Sequence, residues 1–337
     1  MVDQKELIQS LLNPKAYPER PVRVALIQTQ MSLIFLTGKY AYKTKKPVNF
    51  GYLDYTTLER RKYFCNQEVL LNRRLCPEIY LGVVPITAYK RRYIINGEGD
   101  IAEYAVKMLQ LPADRMMDSL ILDNKLTADM VMLVAAKVAE FHRHAATGKE
   151  ITGYGDISVI ADNVLGNLSQ SEKYIGTSLT DKMYRKINDY TKDFIARNEA
   201  AFKHRAADGR IRDCHGDLHA SNICLADSIY IYDCIEFSDR FRCGDVASEV
   251  AFLAMDLDRF DRQDLSRHFV NSYIEVSGDN NLNEMLNFYK CYRACVRGKV
   301  ESFKYDDINI PADDRVKCLK SAKRYFNLAE TYTNTAS

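Results

Sequence analysis

The feature that most limits the fold of this 337-residue chain is a change in hydrophobic period near Pro112. Before that point, apolar residues occur in short runs and alternating patterns that are typical of β-strands. After it, they recur every three or four positions over longer segments, as they do in amphipathic helices. Because strands come first and helices follow, instead of alternating, the sequence predicts an α+β fold with a β-rich part and a helical part.

The part before Pro112 is predicted to form a five-stranded antiparallel sheet with one inserted helix. The strands are expected at 22–30, 32–38, 40–46, 81–95 and 101–111. The helix is expected over 57–75, with Thr57 as its N-cap. The sequence Asn-Gly-Glu-Gly-Asp at 96–100 predicts a hairpin turn between the last two strands. A strand after this turn excludes a dinucleotide fingerprint, which requires a helix there.

Three segments are expected along the chain. They are an N-terminal helical extension over 1–21, a β-rich lobe over 22–110 and a helical lobe over 111–337. The extension contains a short helix that ends before Pro14. In the helical lobe, the one clear β signal is a pair of short apolar runs at 222–225 and 229–233, which predicts a hairpin.

The most informative stretch is HGDLHASN at 215–222, followed by the predicted hairpin. Asp217 can orient a hydroxyl group, and Asn222 and Asp233 provide oxygen ligands of the kind that Mg²⁺ prefers. Phosphoryl transfer needs this combination of a positioned carboxylate and metal ligands. The Asp-x-x-x-x-Asn spacing also matches the catalytic loop of the protein-kinase fold.

The motif H-G-D-L-H-x-x-N resembles the signature of the aminoglycoside phosphotransferase/choline kinase superfamily. Residues 231–237 resemble the metal-binding segment of that superfamily, and Gly244-Asp245 resembles its downstream Gly-Asp motif. The wider chain resembles an uncharacterised bacterial subgroup. The resemblance implies a two-lobed protein-kinase-like fold and an ATP- and Mg²⁺-dependent phosphotransferase that acts on a hydroxyl of a small molecule. It implies Asp217 as the catalytic base, and Asn222 and Asp233 as the metal ligands.

The choice between Asp233 and Glu236 as the metal ligand depends on strand geometry. Side chains on a strand alternate between the two faces. Glu236, three residues after Asp233, would therefore point to the opposite face, so Asp233 is preferred and Glu236 is the second choice. A metal site formed by His215 and His219 is disfavoured, because Gly216 opposes the helix that would bring them together.

The β-rich lobe should supply a lysine for the nucleotide phosphates and a helix glutamate that holds this lysine. Lys43 fits the Ala-x-Lys pattern of the corresponding kinase strand. Lys45 lies on the same strand face and is its rival. The inserted helix offers Glu59 and Glu68, and Glu68 is preferred because it lies mid-helix beside apolar residues. The loop before the strand has one glycine, which argues against a protein kinase, and no P-loop motif occurs.

Charge leaves the acceptor substrate open. The whole chain has a net charge of +2, so it lacks the basic excess of a nucleic-acid-binding protein. This charge is unevenly divided, since 17 basic and 10 acidic residues precede residue 113. An acidic cup for a cationic substrate is one hypothesis; its members would be Asp239, Asp256 and Asp258. A clamp for an anionic substrate, formed by Arg293 and Arg297 on one helix face, is the other.

Several features favour a cytoplasmic protein without membrane contact. No apolar run approaches the roughly 20 residues needed to span a bilayer, and the N-terminus lacks an apolar signal segment. Nine cysteines without a CxxC pair indicate free thiols that pack in the interior. His142, at the end of a predicted helix, is expected to have a structural role. The resemblance implies that Asp245 braces the catalytic loop.

Other functions remain open at this stage. They are a pseudokinase or regulatory nucleotide-binding module, and a kinase or nucleotidyltransferase that acts on protein.

Overall fold

A computed structural model describes residues 3–89, 92–308 and 310–334 of the chain. Within these ranges it contains thirteen α-helices and ten β-strands. The helices are α1 (Gln4–Leu11), α2 (Leu58–Asn72), α3 (Met117–Leu122), α4 (Ala128–His144), α5 (Lys149–Thr152), α6 (Ile157–Ser171), α7 (Asp181–Arg197), α8 (Glu199–Ala207), α9 (Asp239–Arg242), α10 (Val246–Arg259), α11 (Gln263–Ser277), α12 (Leu282–Asp306) and α13 (Ala312–Tyr332). The strands are β1 (Ala25–Gln28), β2 (Ser32–Leu36), β3 (Tyr40–Lys45), β4 (Tyr80–Tyr89), β5 (Arg92–Ile95), β6 (Asp100–Leu109), β7 (Ile211–Asp213), β8 (Ile223–Leu225), β9 (Ile229–Ile231) and β10 (Cys243–Asp245).

The chain divides into two compact units. Unit 1 comprises Met1–Met116 and Asn222–Asp239, and unit 2 comprises Met117–Ser221 and Arg240–Ser337. This division differs from the predicted segments, because the β8–β9 hairpin groups with the sheet and not with the helices that surround it in sequence. Two contacts hold it there. Met116 forms an isolated β-bridge with Cys224, and Arg115 Nε donates to the carbonyl of Leu225 at 2.7 Å.

The sheet of unit 1 has six antiparallel strands in the order β1-β2-β3-β6-β4-β5. The prediction of five strands was wrong, because 81–95 contains most of β4 and all of β5, with residues 90–91 between them outside the described part. The turn at 96–100 does not close a hairpin either, since β5 and β6 pair with opposite edges of β4. It passes close to the end of β4. At Gly99, with a φ of +111°, an added Cβ would lie 2.4 Å from the Ala88 carbonyl oxygen.

The two faces of this sheet are covered by different helices. α1 and the residues after it pack on the face that carries Leu33, Phe35 and Tyr42. α2 covers the face that carries Ala41 and Val106. Helix α2 begins as predicted, because the Thr57 hydroxyl accepts a hydrogen bond from the Arg60 amide at 3.2 Å.

Unit 2 is helical around one buried element. Helix α10 is buried from Val246 to Asp258, and it contacts α11 and α12. Helices α4, α7 and α8 lie in the part of the chain that the sequence predicts to be helical. The antiparallel pair β7–β10 was missed, because three-residue strands leave no periodic signal. Among the described residues, no helix is both long and apolar enough to cross a membrane.

Candidate active site

In unit 1, two buried lysines share one glutamate. Lys43 and Lys45 lie two positions apart on β3 and therefore point to the same face, towards α2. Lys43 Nζ lies 2.8 Å from Glu68 Oε1, and Lys45 Nζ lies 2.8 Å from Glu68 Oε2. Each carboxylate oxygen of Glu68 is thus paired with a different lysine, so the structure brings both sequence candidates to the same partner.

The segment after β9 completes this row of charges. Lys43 Nζ lies 2.5 Å from Asp233 Oδ1, and Lys45 Nζ forms an ion pair with Glu236. The argument from strand alternation was wrong here, because β9 ends at Ile231 and Asp233 has a φ of +66°. The chain leaves strand geometry before Asp233, and both carboxylates reach the lysines.

Exposure distinguishes the two ends of the row. The side chains of Lys43 and Asp233 are 11% and 44% exposed, whereas those of Lys45 and Glu236 are 1% and 6% exposed. The buried end has further protein partners, since the Tyr55 hydroxyl donates to Glu236 at 2.5 Å and Lys45 Nζ lies 4.9 Å from the Tyr55 ring centroid. Only the Lys43–Asp233 end is open to a ligand.

The charges in this row stabilise one another. Burial alone would lower the pKa of Lys43, but Asp233 and Glu68 raise it above its usual value. Burial alone would raise the pKa of Glu68, but the two lysines lower it well below its usual value. Lys43 and Glu68 are therefore both charged at neutral pH.

Asn222 and Asp233 lie at the same end of the β8–β9 hairpin. In its register Ile223 pairs with Ile231, and the amide of Tyr232 donates to the Asn222 carbonyl at 3.0 Å. Asp233 follows directly. The hairpin predicted from the sequence therefore places both predicted metal ligands together within unit 1.

In unit 2, the loop that carries Asp217 is held by a buried glutamate of α10. Glu249 Oε1 accepts hydrogen bonds from the backbone amides of His215 and Gly216 at 2.9 and 2.6 Å. Glu249 Oε2 lies 2.7 Å from His142 Nε2. Asp245, which we expected to brace this loop, instead caps α10 and pairs with Arg205. Glu249 is therefore the brace, and the buried His142 has the structural role expected of it.

Asp217 is ionised by its surroundings. Its Oδ2 lies 3.3 Å from His219 Nε2, and its side chain is one-third exposed. Burial would raise the pKa of Asp217, but His219, Arg297 and His215 lower it well below its usual range. A carboxylate with this pKa accepts a hydrogen bond from a hydroxyl group at every pH near neutrality.

Two members of the expected acidic cup have other partners. Asp256 Oδ2 accepts a hydrogen bond from the amide of Ala220 at 3.0 Å, and thus also holds the Asp217 loop. Asp258 Oδ2 lies 2.8 Å from Lys290 Nζ and accepts a hydrogen bond from the Tyr332 hydroxyl at 2.6 Å. Both carboxylates are buried, so they do not form a cup for a cation.

The amino-acid sequence was compared with protein families and with curated proteins. No family model matches the chain. Uncharacterized proteins of Mycobacterium tuberculosis and Mycobacterium bovis are 31% identical over 279 residues, covering 82% of this chain and 54% of theirs. The chain therefore spans about half the length of these curated relatives.

Two crystal structures match nearly the whole chain. A choline/ethanolamine kinase family protein from Mesorhizobium loti matches with a TM-score of 0.52 at 11% identity, covering 97% of this chain and 99% of that one. A candidate aminoglycoside phosphotransferase from Ralstonia eutropha matches with a TM-score of 0.51 at 11% identity, covering 94% of each chain. This chain has the kinase-like fold of these two structures. The predicted α+β fold class is thereby confirmed.

Within this kinase-like fold, sequence reasoning missed three residues that hold the segment after β9. Tyr55 donates to Glu236, as described above. The Asp233 amide donates to Tyr80 Oη at 3.2 Å, and the Cys234 amide donates to Asn72 Oδ1 at 2.9 Å. No sequence signal could have found them, because each contact joins positions more than 150 residues apart.

Proposed function

We propose that this protein is an ATP- and Mg²⁺-dependent phosphotransferase that transfers the γ-phosphate to a hydroxyl group of a small molecule. One observation carries the proposal, namely the row Asp233–Lys43–Glu68. A strand lysine held by a helix glutamate binds nucleotide phosphates in kinases, and an adjacent aspartate holds the metal. The names of the two structural neighbours, a kinase family protein and a phosphotransferase, support the same reaction class.

Lys43 is assigned to the phosphates and Lys45 to positioning. Lys43 lies at the open end of the row, next to the exposed Asp233. Lys45 is enclosed by Glu68, Glu236 and Tyr55, so its ammonium group binds protein side chains and not a ligand. By holding one oxygen of Glu68, Lys45 leaves the other oxygen in place for Lys43.

Asn222 and Asp233 are assigned to Mg²⁺. Both offer hard oxygen ligands, and they lie at one end of the hairpin. The Asp233 carboxylate also already attracts a cation, since Lys43 Nζ is 2.5 Å away. When bound, Mg²⁺ would neutralise charge on the phosphates.

Asp217 is assigned to the acceptor hydroxyl. Its lowered pKa makes it a weak base but keeps it ionised, so it accepts a charge-assisted hydrogen bond. Such a group orients the hydroxyl and accepts its proton late, which suits the loose transition state of phosphoryl transfer. Glu249 and Asp256 fix the loop around Asp217 and so hold its carboxylate in one place.

The test is transfer from γ-labelled ATP to a panel of alcohols, sugars and aminoglycosides, with wild type, Asp217→Ala and Asp193→Ala. Asp193 is an exposed aspartate of the same unit and serves as the matched control. Asp217→Ala should lower transfer by about 100-fold or more, the usual contribution of a positioned acid–base group. ATP binding should stay close to wild type, and the variant should remain folded.

Other results would point elsewhere. Transfer by Asp217→Ala at the wild-type rate would overturn the assignment of this residue. ATP binding without hydrolysis or transfer to any acceptor would indicate a regulatory module. Label that comes from the α-position of ATP would indicate nucleotidyl transfer, and label on protein would indicate a protein substrate.

A further inference from the structure

Two arginines of helix α12 lie beside the Asp217 loop. Arg293 Nη1 donates to the carbonyl of Gly216, the residue before Asp217, at 3.2 Å. Arg297 lies one turn further along the same helix face, and its guanidinium lies 5.8 Å from the Tyr325 ring centroid. Tyr325 in turn donates to Asp256 at 3.3 Å, and Asp256 holds the loop through the Ala220 amide. Arg293 thus bonds to the loop directly, and Arg297 lies beside the residues that hold it.

These arginines keep hydrogen-bond donors that the protein does not use, although Arg297 also interacts electrostatically with Asp217. In the part of the chain that the structure describes, no carboxylate forms an ion pair with Arg293, whose Nε donates to Ser248 instead. The closest pairing of Arg297 is with Glu301, at 3.9 Å, and Glu301 is held more tightly by Lys304 at 2.7 Å. Arg297 Nε is buried and has no hydrogen-bond partner among the described residues.

Burying an arginine donor without an acceptor costs free energy unless a ligand supplies the acceptor. A buried N–H donor without an acceptor, such as Arg297 Nε, has lost its hydration without a hydrogen bond in exchange. The nearby acids also have other hydrogen-bond partners, since Asp256 is bonded to the loop, Asp258 to Lys290 and Asp217 to His219. An anion would supply acceptors for these donors, because guanidinium groups bind carboxylate and phosphate through paired hydrogen bonds.

We propose that Arg293 and Arg297 bind an anionic group on the acceptor, so that the substrate is a hydroxyl compound that also carries a carboxylate or a phosphate. This proposal rests on the phosphotransferase function proposed above and specifies its substrate class. The anionic group is held by α12 while the hydroxyl group meets Asp217. The clamp hypothesis is thereby preferred over the acidic cup.

The test uses four three-carbon compounds that differ in charge: glycerol, glycerate, glycerol phosphate and the cationic serinol. Wild type should phosphorylate glycerate or glycerol phosphate with a kcat/KM at least about tenfold above that for glycerol, equivalent to about 1.4 kcal/mol of binding. The two anions separate a carboxylate substrate from a phosphate substrate. Serinol should be the poorest acceptor.

Variants separate acceptor binding from ATP binding. Arg297→Ala should lower the ratio of kcat/KM for the preferred anion to that for glycerol by about tenfold, and Arg297→Lys should restore part of it. The ratio cancels any effect of Arg297 on Asp217 or on the γ-phosphate, which all acceptors share. Arg185→Ala, on the exposed surface of α7, should leave the ratio unchanged.

Several results would overturn the proposal. One is a kcat/KM for glycerol or serinol that equals or exceeds that for the anions, and another is an unchanged kcat/KM ratio in Arg297→Ala. The third is continued ATP hydrolysis in the presence of about 10 mM anion, a concentration that detects weak binding, when the anion neither accepts phosphate nor inhibits competitively. Calorimetric binding of the same compounds without ATP provides an independent measurement. If anions bind through Arg297 but no phosphate is transferred, the proposed reaction fails and the anion site stands.

Discussion

The contact between Glu249 and the Asp217 loop allows a quantitative test of the structure. Glu249 is buried, and its two oxygens accept hydrogen bonds from the amides of His215 and Gly216 and face His142. Glu249→Gln keeps the shape of the side chain and removes its charge. Gln can retain both hydrogen bonds that the loop amides make to Oε1 through its oxygen, and its amide group can face the imidazole of His142 if that ring is protonated on the other nitrogen. The substitution therefore isolates the value of the negative charge.

The pKa of this carboxylate gives the magnitude. Burial raises the pKa of Glu249, but His142, His215 and the backbone donors lower it from 4.5 to about 2. Each unit of difference corresponds to about 1.4 kcal/mol, so the ionised form stabilises the fold by about 3 kcal/mol at neutral pH. Because the folded pKa is below the unfolded one, this stability is present above pH 4.5 and is lost as pH falls towards 2.

Urea unfolding followed by far-ultraviolet circular dichroism would measure this effect. The stability difference between wild type and Glu249→Gln should be about 3 kcal/mol at pH 7 and should fall to about half of that near pH 3. A difference below about 1 kcal/mol at pH 7, or one that does not change with pH, would refute the reasoning. Equal slopes with urea concentration are needed for the comparison.

Three further predictions concern unit 1 and the cysteines. Lys43→Met should abolish ATP turnover, whereas Lys45→Met should cause the larger loss of stability, about 3–5 kcal/mol, because it leaves the buried Glu236 and one oxygen of Glu68 without their cation; kinetics and urea unfolding would distinguish them. Thr44→Val should raise the stability by about 1 kcal/mol in urea unfolding, because the buried Thr44 hydroxyl has no partner among the described residues. Cys318 should be the first thiol to react with Ellman's reagent in the native protein, because the other eight cysteines are buried, and all nine should react after unfolding.

The sequence correctly predicted those elements whose signals lie within a few neighbouring residues. The Thr57 cap, helix α2 and the β8–β9 hairpin follow from residues that are neighbours in sequence. The strand order did not follow, because β5 pairs with β4 alone although it directly precedes β6. Strand pairing depends on which edges meet in space, and alternation within each strand carries no information about that.

The candidate site shows the same limit. The sequence by itself determined the motif at 215–222, the hairpin that follows it, and the placement of Lys43 and Lys45 on one face. Only the tertiary structure decided that Glu68 pairs with both lysines, that Asp256 is a buried brace, and that Arg293 has no carboxylate partner among the described residues. The physical reason is that burial and neighbouring charges set the role of an ionisable side chain, and both arise from residues distant in the chain.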